Sequence, residues 1–133
     1  MKKYTTKQRQ EGSVGMPQSL FLLEFGQKIA DAFGEIPYQV GSSLISKKWR
    51  DVDIRLILSD EDYEKMDLGD PKYPWHNAKW QSLILAYSAL GEKMTGLPID
   101  FQIQQRTYAN EKFKGSRNAI FDHRILINKE DSL

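Results

Sequence analysis

The sequence predicts an α/β (α+β) domain in which helices pack on one face of a mixed sheet of three to four strands. Apart from Ile57, residues 51–58 and 99–104 alternate between apolar and polar side chains, as half-buried strands do. Residues 17–34 and 80–94 instead repeat their apolar side chains every three or four positions, which is the helical period. Two helices with apolar stripes and two strands with apolar faces can therefore share one core.

The helices are delimited by residues that begin and end helices. The first enters through Pro17 and closes at Gly34, and the longest, which contains Trp80, stops at Gly96. Three shorter helical pieces are predicted at residues 59–66, 106–112 and 116–121. The first of these opens with Ser59, whose hydroxyl is expected to cap it.

Two further strands are predicted, at residues 36–40 and 124–128, and a helical turn with a loop fills residues 43–50. In the first of these strands Gln39 is expected on the polar side, opposite its apolar neighbours. If helices cover only the apolar side of the sheet, an open polar face remains. Its expected members are Gln39, Asp51, Asp53, Arg55, Asp100, Gln102 and Gln104.

Size and charge restrict the function. At 133 residues with 40% apolar content, the chain supports one core, predicted over residues 17–133 behind a flexible basic lead-in at residues 1–16. The 19 basic and 18 acidic residues nearly cancel, so no bulk field draws the chain to nucleic acid or to a membrane. Residues 1–10 are polar, and no run of about twenty apolar residues occurs, which predicts a cytoplasmic protein.

The metal-binding chemistry available to this chain is oxygen chemistry. Cysteine is absent, and His76 and His123 lie too far apart in sequence to form a zinc motif. Asp51, Asp53 and Asp100 are predicted to share the open face, where three carboxylates repel one another. A hard divalent cation such as Mg²⁺ supplies the missing positive charge most directly. The alternative is that these aspartates are solvated strand ends.

A phosphate-binding turn is predicted beside the aspartates. Gly41 permits close approach of a ligand to the backbone, and Ser42 offers a hydroxyl and nearby N–H groups. Lys47, Lys48 and Arg50 follow this turn in the sequence and are candidate ligands of the same phosphate groups. The alternative is that Gly41-Ser42 is an ordinary turn and that the basic side chains after it belong to a solvated loop.

These segments, in this order, carry a family resemblance. Gly41-Ser42, then a basic stretch, then Asp51-Val52-Asp53 heading an aliphatic strand, then Asp100 within Ile99-Asp100-Phe101, resemble the minimal single-domain core of the DNA polymerase beta-like nucleotidyltransferase superfamily. The resemblance spans about residues 18–128.

The resemblance implies an activity and a role for each matched position. Gly41 and Ser42 would bind the triphosphate of a nucleotide such as ATP, and Asp51 and Asp53 would hold two Mg²⁺ ions, which Mn²⁺ could replace. Asp100 would act as a further metal ligand or as general base. The reaction would transfer a nucleoside monophosphate to a hydroxyl of an unidentified acceptor, which is a protein, an RNA or a small molecule.

Two features favour a noncatalytic relative instead. Arg55 stands where the family usually has an aliphatic residue, and its guanidinium would pair with Asp53 in place of a metal. The chain is also too short to include the helical domain that cradles base and acceptor in many relatives, so a homo-oligomer or a helical partner protein is expected. The rival function is an antitoxin-like or regulatory module that binds a nucleotide or a partner protein through the polar face.

Overall fold

The computed structural model describes Gly15, residues 17–41 and residues 51–120. The order of elements is α1 (Gln18–Phe33), β1 (Tyr38–Val40), β2 (Val52–Leu58), α2 (Asp60–Lys65), a 3-10 turn (Pro74–His76), α3 (Ala78–Thr95), β3 (Ile99–Gln105), α4 (Arg106–Lys112) and β4 (Asn118–Ala119). The predicted lead-in, apart from Gly15, the turn and loop at 43–50 and the strand at 124–128 lie outside the described residues.

The helix boundaries confirm the sequence signals. Pro17 precedes α1, and Gly34 ends it with a left-handed φ of 77°. Gly96 ends α3 in the same way, with φ of 73°. Ser59 caps α2, its hydroxyl accepting the backbone N–H of Asp62 at 3.1 Å. No helix within the described ranges is long and apolar enough to cross a membrane.

The sheet is mixed, with strand order β3-β2-β1-β4. β2 and β3 run parallel, in a register that pairs Asp53 with Asp100, whereas β1 is antiparallel to both β2 and β4. The predicted faces of the two long strands are confirmed. Val52, Ile54, Leu56 and Leu58 of β2, and Ile99, Phe101 and Ile103 of β3, all point into the core.

The predicted position of Gln39 on the polar face is wrong. β1 pairs Gln39 with Ile54, and paired residues of antiparallel strands point to the same side. Gln39 is therefore buried on the core side, while Tyr38 and Val40 share the polar side with Arg55 and Asp53. The side-chain pattern of a three-residue strand is too short to fix its face, so the pairing with β2 decides it.

The helix predicted at residues 116–121 is also wrong over its described part, residues 116–120. Asn118–Ala119 instead forms β4 against β1, and the backbone N–H of Ile120 donates to the Pro37 carbonyl at 3.0 Å. The exposed edge of β1 has backbone groups that need partners, and an extended segment supplies them. The buried side chain of Ile120 then packs against α1.

Helices α1 and α3 cover the apolar side of the sheet. Phe25 of α1 meets Phe101 of β3 edge to face, with ring centroids 6.5 Å apart. α3 also satisfies the outer edge of β3, since the Ser88 hydroxyl accepts the Phe101 N–H at 3.0 Å and the Trp80 indole donates to the Ile103 carbonyl at 2.9 Å. These contacts hold β3, and with it Asp100, against β2.

Replacing Gly26 of α1 tests the docking of the last described strand. A Cβ at this position would lie 2.8 Å from the carbonyl carbon of Ile120 and closer still to its oxygen. Gly26→Ala should lower the free energy of unfolding by about 1–3 kcal/mol, despite the better helix propensity of alanine. Urea denaturation measures this change in the free energy of unfolding. Gly115→Ala is the control, because its Cβ would meet nothing; equal stability of both variants would contradict the close approach of Ile120 to α1.

Candidate functional site: an acidic pair clamped by an arginine

The centre of the open face is the pair formed by Asp53 and Asp100. Both side chains point away from the core, and they lie directly opposite each other in the parallel register of β2 and β3. Neighbouring strands are separated by about 4.8 Å, so the two carboxyl groups are close neighbours. Their side chains are 24% and 37% exposed, which leaves them partly shielded from water.

Arg55 lies across this pair. Its Nη2 is 3.4 Å from Oδ2 of Asp100 and 3.9 Å from Oδ1 of Asp53. Its Nη1 donates to the backbone carbonyls of Asp100 at 2.7 Å and Ile54 at 3.1 Å. The guanidinium is thus fixed by both strands, with only 13% of the side chain exposed. Pairing with Asp53 was expected from the sequence, but the closer partner is Asp100.

The environment of Asp53 disfavours its charge. Burial raises the pKa of this carboxyl above its usual value, and this effect exceeds the opposing influence of Arg55. The neighbouring charges of Asp100 and Asp51 raise the pKa further. A cation bound beside Asp53 would offset this effect, because it favours the ionised carboxylate.

Gly41 lies against the same carboxylate. It follows β1 with a positive φ of 80°, and a Cβ at this position would overlap Oδ2 of Asp53. Only glycine satisfies both constraints. The structure therefore places Gly41, the first residue of the predicted phosphate-binding turn, beside Asp53, a predicted metal ligand. Ser42, Lys47, Lys48 and Arg50, the other predicted nucleotide ligands, lie outside the described residues.

Asp51 lies one residue before β2 rather than inside it, in an exposed bend. Its charge reaches Asp53, but its carboxyl is not held in the row formed by Asp53 and Asp100. Across residues 17–41 and 51–120, no three histidine or acidic side chains are grouped as a metal site. The two carboxylates that do converge have the oxygen donors that Mg²⁺ prefers, with Asp51 at the margin.

A cleft of about 460 Å³ opens beside Asp53 on the polar face. The segment after α4 forms one of its walls, so this side of the sheet is not wholly open. The cleft is lined by Val40, Gly41, Asp53, Arg55, Ile57, Gln102, Gln104, Phe113, Gly115, Ser116 and Arg117. Sequence patterns gave no indication of Phe113 or Arg117, because an irregular segment has no periodicity to show where it folds back.

Comparison with known proteins adds no relative. No family model, no curated protein and no solved structure matches this chain. The resemblance to the nucleotidyltransferase superfamily therefore depends on the motif residues and on the geometry around Asp53.

Neutralising Asp53 should stabilise the metal-free protein at neutral pH. Because its pKa is raised on folding, the stability linked to its protonation is present at acidic pH and is lost as the pH rises through the raised pKa. Urea denaturation of Asp53→Asn in EDTA should show a gain over wild type at pH 7.5 that shrinks below pH ~4. A gain of equal size at both pH values would contradict this explanation. Glu92→Gln, at an exposed position of α3, controls for loss of one negative charge.

Replacing Arg55 should lower the stability of the protein, which is the opposite of the effect expected for Asp53→Asn. Arg55→Met keeps most of the side-chain length but removes the charged hydrogen bonds, and should destabilise the protein by about 1.5–3 kcal/mol. Part of that loss is repulsion between Asp53 and Asp100, so the double variant with Asp53→Asn should lose less than the sum of the two single effects. Strict additivity in urea denaturation would show that Arg55 does not act through Asp53.

Proposed function

We propose that this chain is a Mg²⁺-dependent nucleotidyltransferase of the DNA polymerase beta-like superfamily, transferring a nucleoside monophosphate from a nucleoside triphosphate to an acceptor hydroxyl. One observation supports the proposal above the others. Asp53 and Asp100, which come from different strands, share one partly buried face with the backbone of Gly41 beside them. The resemblance requires these three positions to lie close together.

Each residue has a distinct part in the proposed reaction. The acceptor oxygen forms a bond to the α-phosphorus as the bond from that phosphorus to the bridging oxygen breaks, and pyrophosphate leaves. Asp53 and Asp100 would hold the metal, with Asp51 as a further ligand at the margin of the site, and Asp100 would alternatively accept the hydroxyl proton. Bound Mg²⁺ or Mn²⁺ would stabilise the negative charge on the attacking and leaving oxygens. The turn at Gly41-Ser42 would receive the phosphates.

The hydrogen bonds of Arg55 favour a second candidate function. This guanidinium is already held by two backbone carbonyls and by Asp100, and it supplies positive charge directly beside the two carboxylates. A noncatalytic module would use Arg55 in place of metal and bind a nucleotide or a partner protein through the same face.

Transfer of labelled nucleotide is the direct test. Wild-type protein incubated with α-labelled nucleoside triphosphates, Mg²⁺ and cell lysate should label an acceptor. Asp53→Asn and Asp100→Asn should each reduce the rate about a hundredfold or more, the usual effect of losing a positioned acid–base or charge-stabilising group. Glu92→Gln should label as wild type does. Labelling by Asp53→Asn at the wild-type rate would contradict the proposed enzymatic function.

Thermal unfolding with ATP, with Mg²⁺ and with both separates the two candidates. The enzyme predicts that the pair stabilises the protein beyond either alone, and that Asp53→Asn loses this gain. The noncatalytic module would instead be supported if ATP stabilises the protein equally with and without Mg²⁺ and no labelling is detected.

A further inference from the structure

The cleft on the polar face has the size and position of a binding site. Its volume of about 460 Å³ lies within the range of small-molecule pockets. It begins at Gly41 and Asp53 and extends along β2 to Ile57, four residues on. At the usual rise of a strand this is about 13 Å, enough for an extended nucleotide.

One side of the cleft presents two amide groups. Gln102 and Gln104 lie two residues apart on β3, so their side chains leave the same face of the sheet. Gln102 is within 3.5 Å of the Asp100 carboxylate, whereas the amide of Gln104 has no hydrogen-bond partner within residues 17–41 and 51–120. Each primary amide offers both donors and an acceptor in one plane, which suits the edge of a nucleobase.

The other side presents an aromatic ring and a positive charge. Phe113 is 50% exposed, although its ring also contacts Tyr108 with centroids 6.1 Å apart. Arg117 donates to the Phe113 carbonyl at 3.3 Å and has no carboxylate partner in the described ranges. An exposed ring is a stacking surface for a base, and the plane of a guanidinium without a carboxylate partner is a second such surface.

We propose that this cleft is the nucleobase subsite of the nucleotide substrate. The base lies between the Phe113 ring and the amides of Gln102 and Gln104, and the phosphates point back to Gly41 and Asp53. This inference rests on the proposed function for the direction of the phosphates. The chain would thereby hold the base with its own α4–β4 segment.

Binding measurements on two ligands test the subsite. Isothermal titration with ATP and with inorganic tripolyphosphate, each with Mg²⁺, separates base recognition from phosphate recognition. Wild type should bind ATP more tightly than tripolyphosphate. Phe113→Ala should weaken ATP binding about tenfold, the usual effect of losing one base–aromatic contact, and leave tripolyphosphate unchanged. Phe21→Ala, which removes a 39%-exposed ring on α1, is the matched control and should bind both as wild type does.

Gln104→Leu provides a second and independent variant. It should change the relative affinities for ATP, GTP, CTP and UTP, since the four bases present different edges to the amide, and should leave tripolyphosphate binding as in wild type. Equal affinity of wild type for ATP and tripolyphosphate would overturn the subsite. So would ATP binding in Phe113→Ala that matches Phe21→Ala.

The outcomes separate this inference from the proposed function. If label transfer requires Asp53 but Phe113→Ala leaves the KM for the nucleotide unchanged, the proposed base subsite is contradicted and the proposed enzymatic function is supported. If ATP binding requires Phe113 but no label is transferred, the proposed base subsite is supported and the proposed enzymatic function is contradicted.

Discussion

The opposition of Asp53 and Asp100 across two parallel strands is the constraint on which the rest of the polar face depends. Burial raises the pKa of Asp53, and the charge of Asp100 on the neighbouring strand adds to this effect, so the ionised state of Asp53 is disfavoured. The charge of Arg55, which is held in place by hydrogen bonds to both strands, offsets part of this effect. The face is therefore short of positive charge where the proposed function would add a divalent cation.

The core sets the register that creates this constraint. Ile54 and Phe101 are fully buried, and a shift of one residue would turn them to the polar side and Asp100 to the interior. The contacts of α3 with the outer edge of β3 fix the strand in the same position. Packing of apolar side chains on one side thus determines which charges meet on the other, and Gly41 is compatible with the resulting position of Asp53 because it has no side chain.

The sequence predicts the parts of this fold that long periodic patterns or strong helix-ending residues determine. Alternation over seven residues in β2 and β3 was enough to assign Asp53 and Asp100 to one face, and Gly34 and Gly96 located the helix ends. Gln39 was misassigned because three residues contain too little pattern, and β4 was missed because its partner, the edge of β1, is distant in sequence. Phe113 and Arg117 reach the cleft through an irregular segment, whose path only tertiary contacts determine.

The central claim is that Asp53 and Asp100 together bind a divalent cation despite the presence of Arg55. Titration with Mn²⁺ in the presence of ATP, followed by electron paramagnetic resonance, tests it most directly because protein-bound and free ions give different signals. The account predicts Mn²⁺ bound by the wild-type complex beyond what ATP alone holds, with that excess lost in both Asp53→Asn and Asp100→Asn and retained in Glu92→Gln. An excess that survives both substitutions, or that never appears in wild type, would contradict the account.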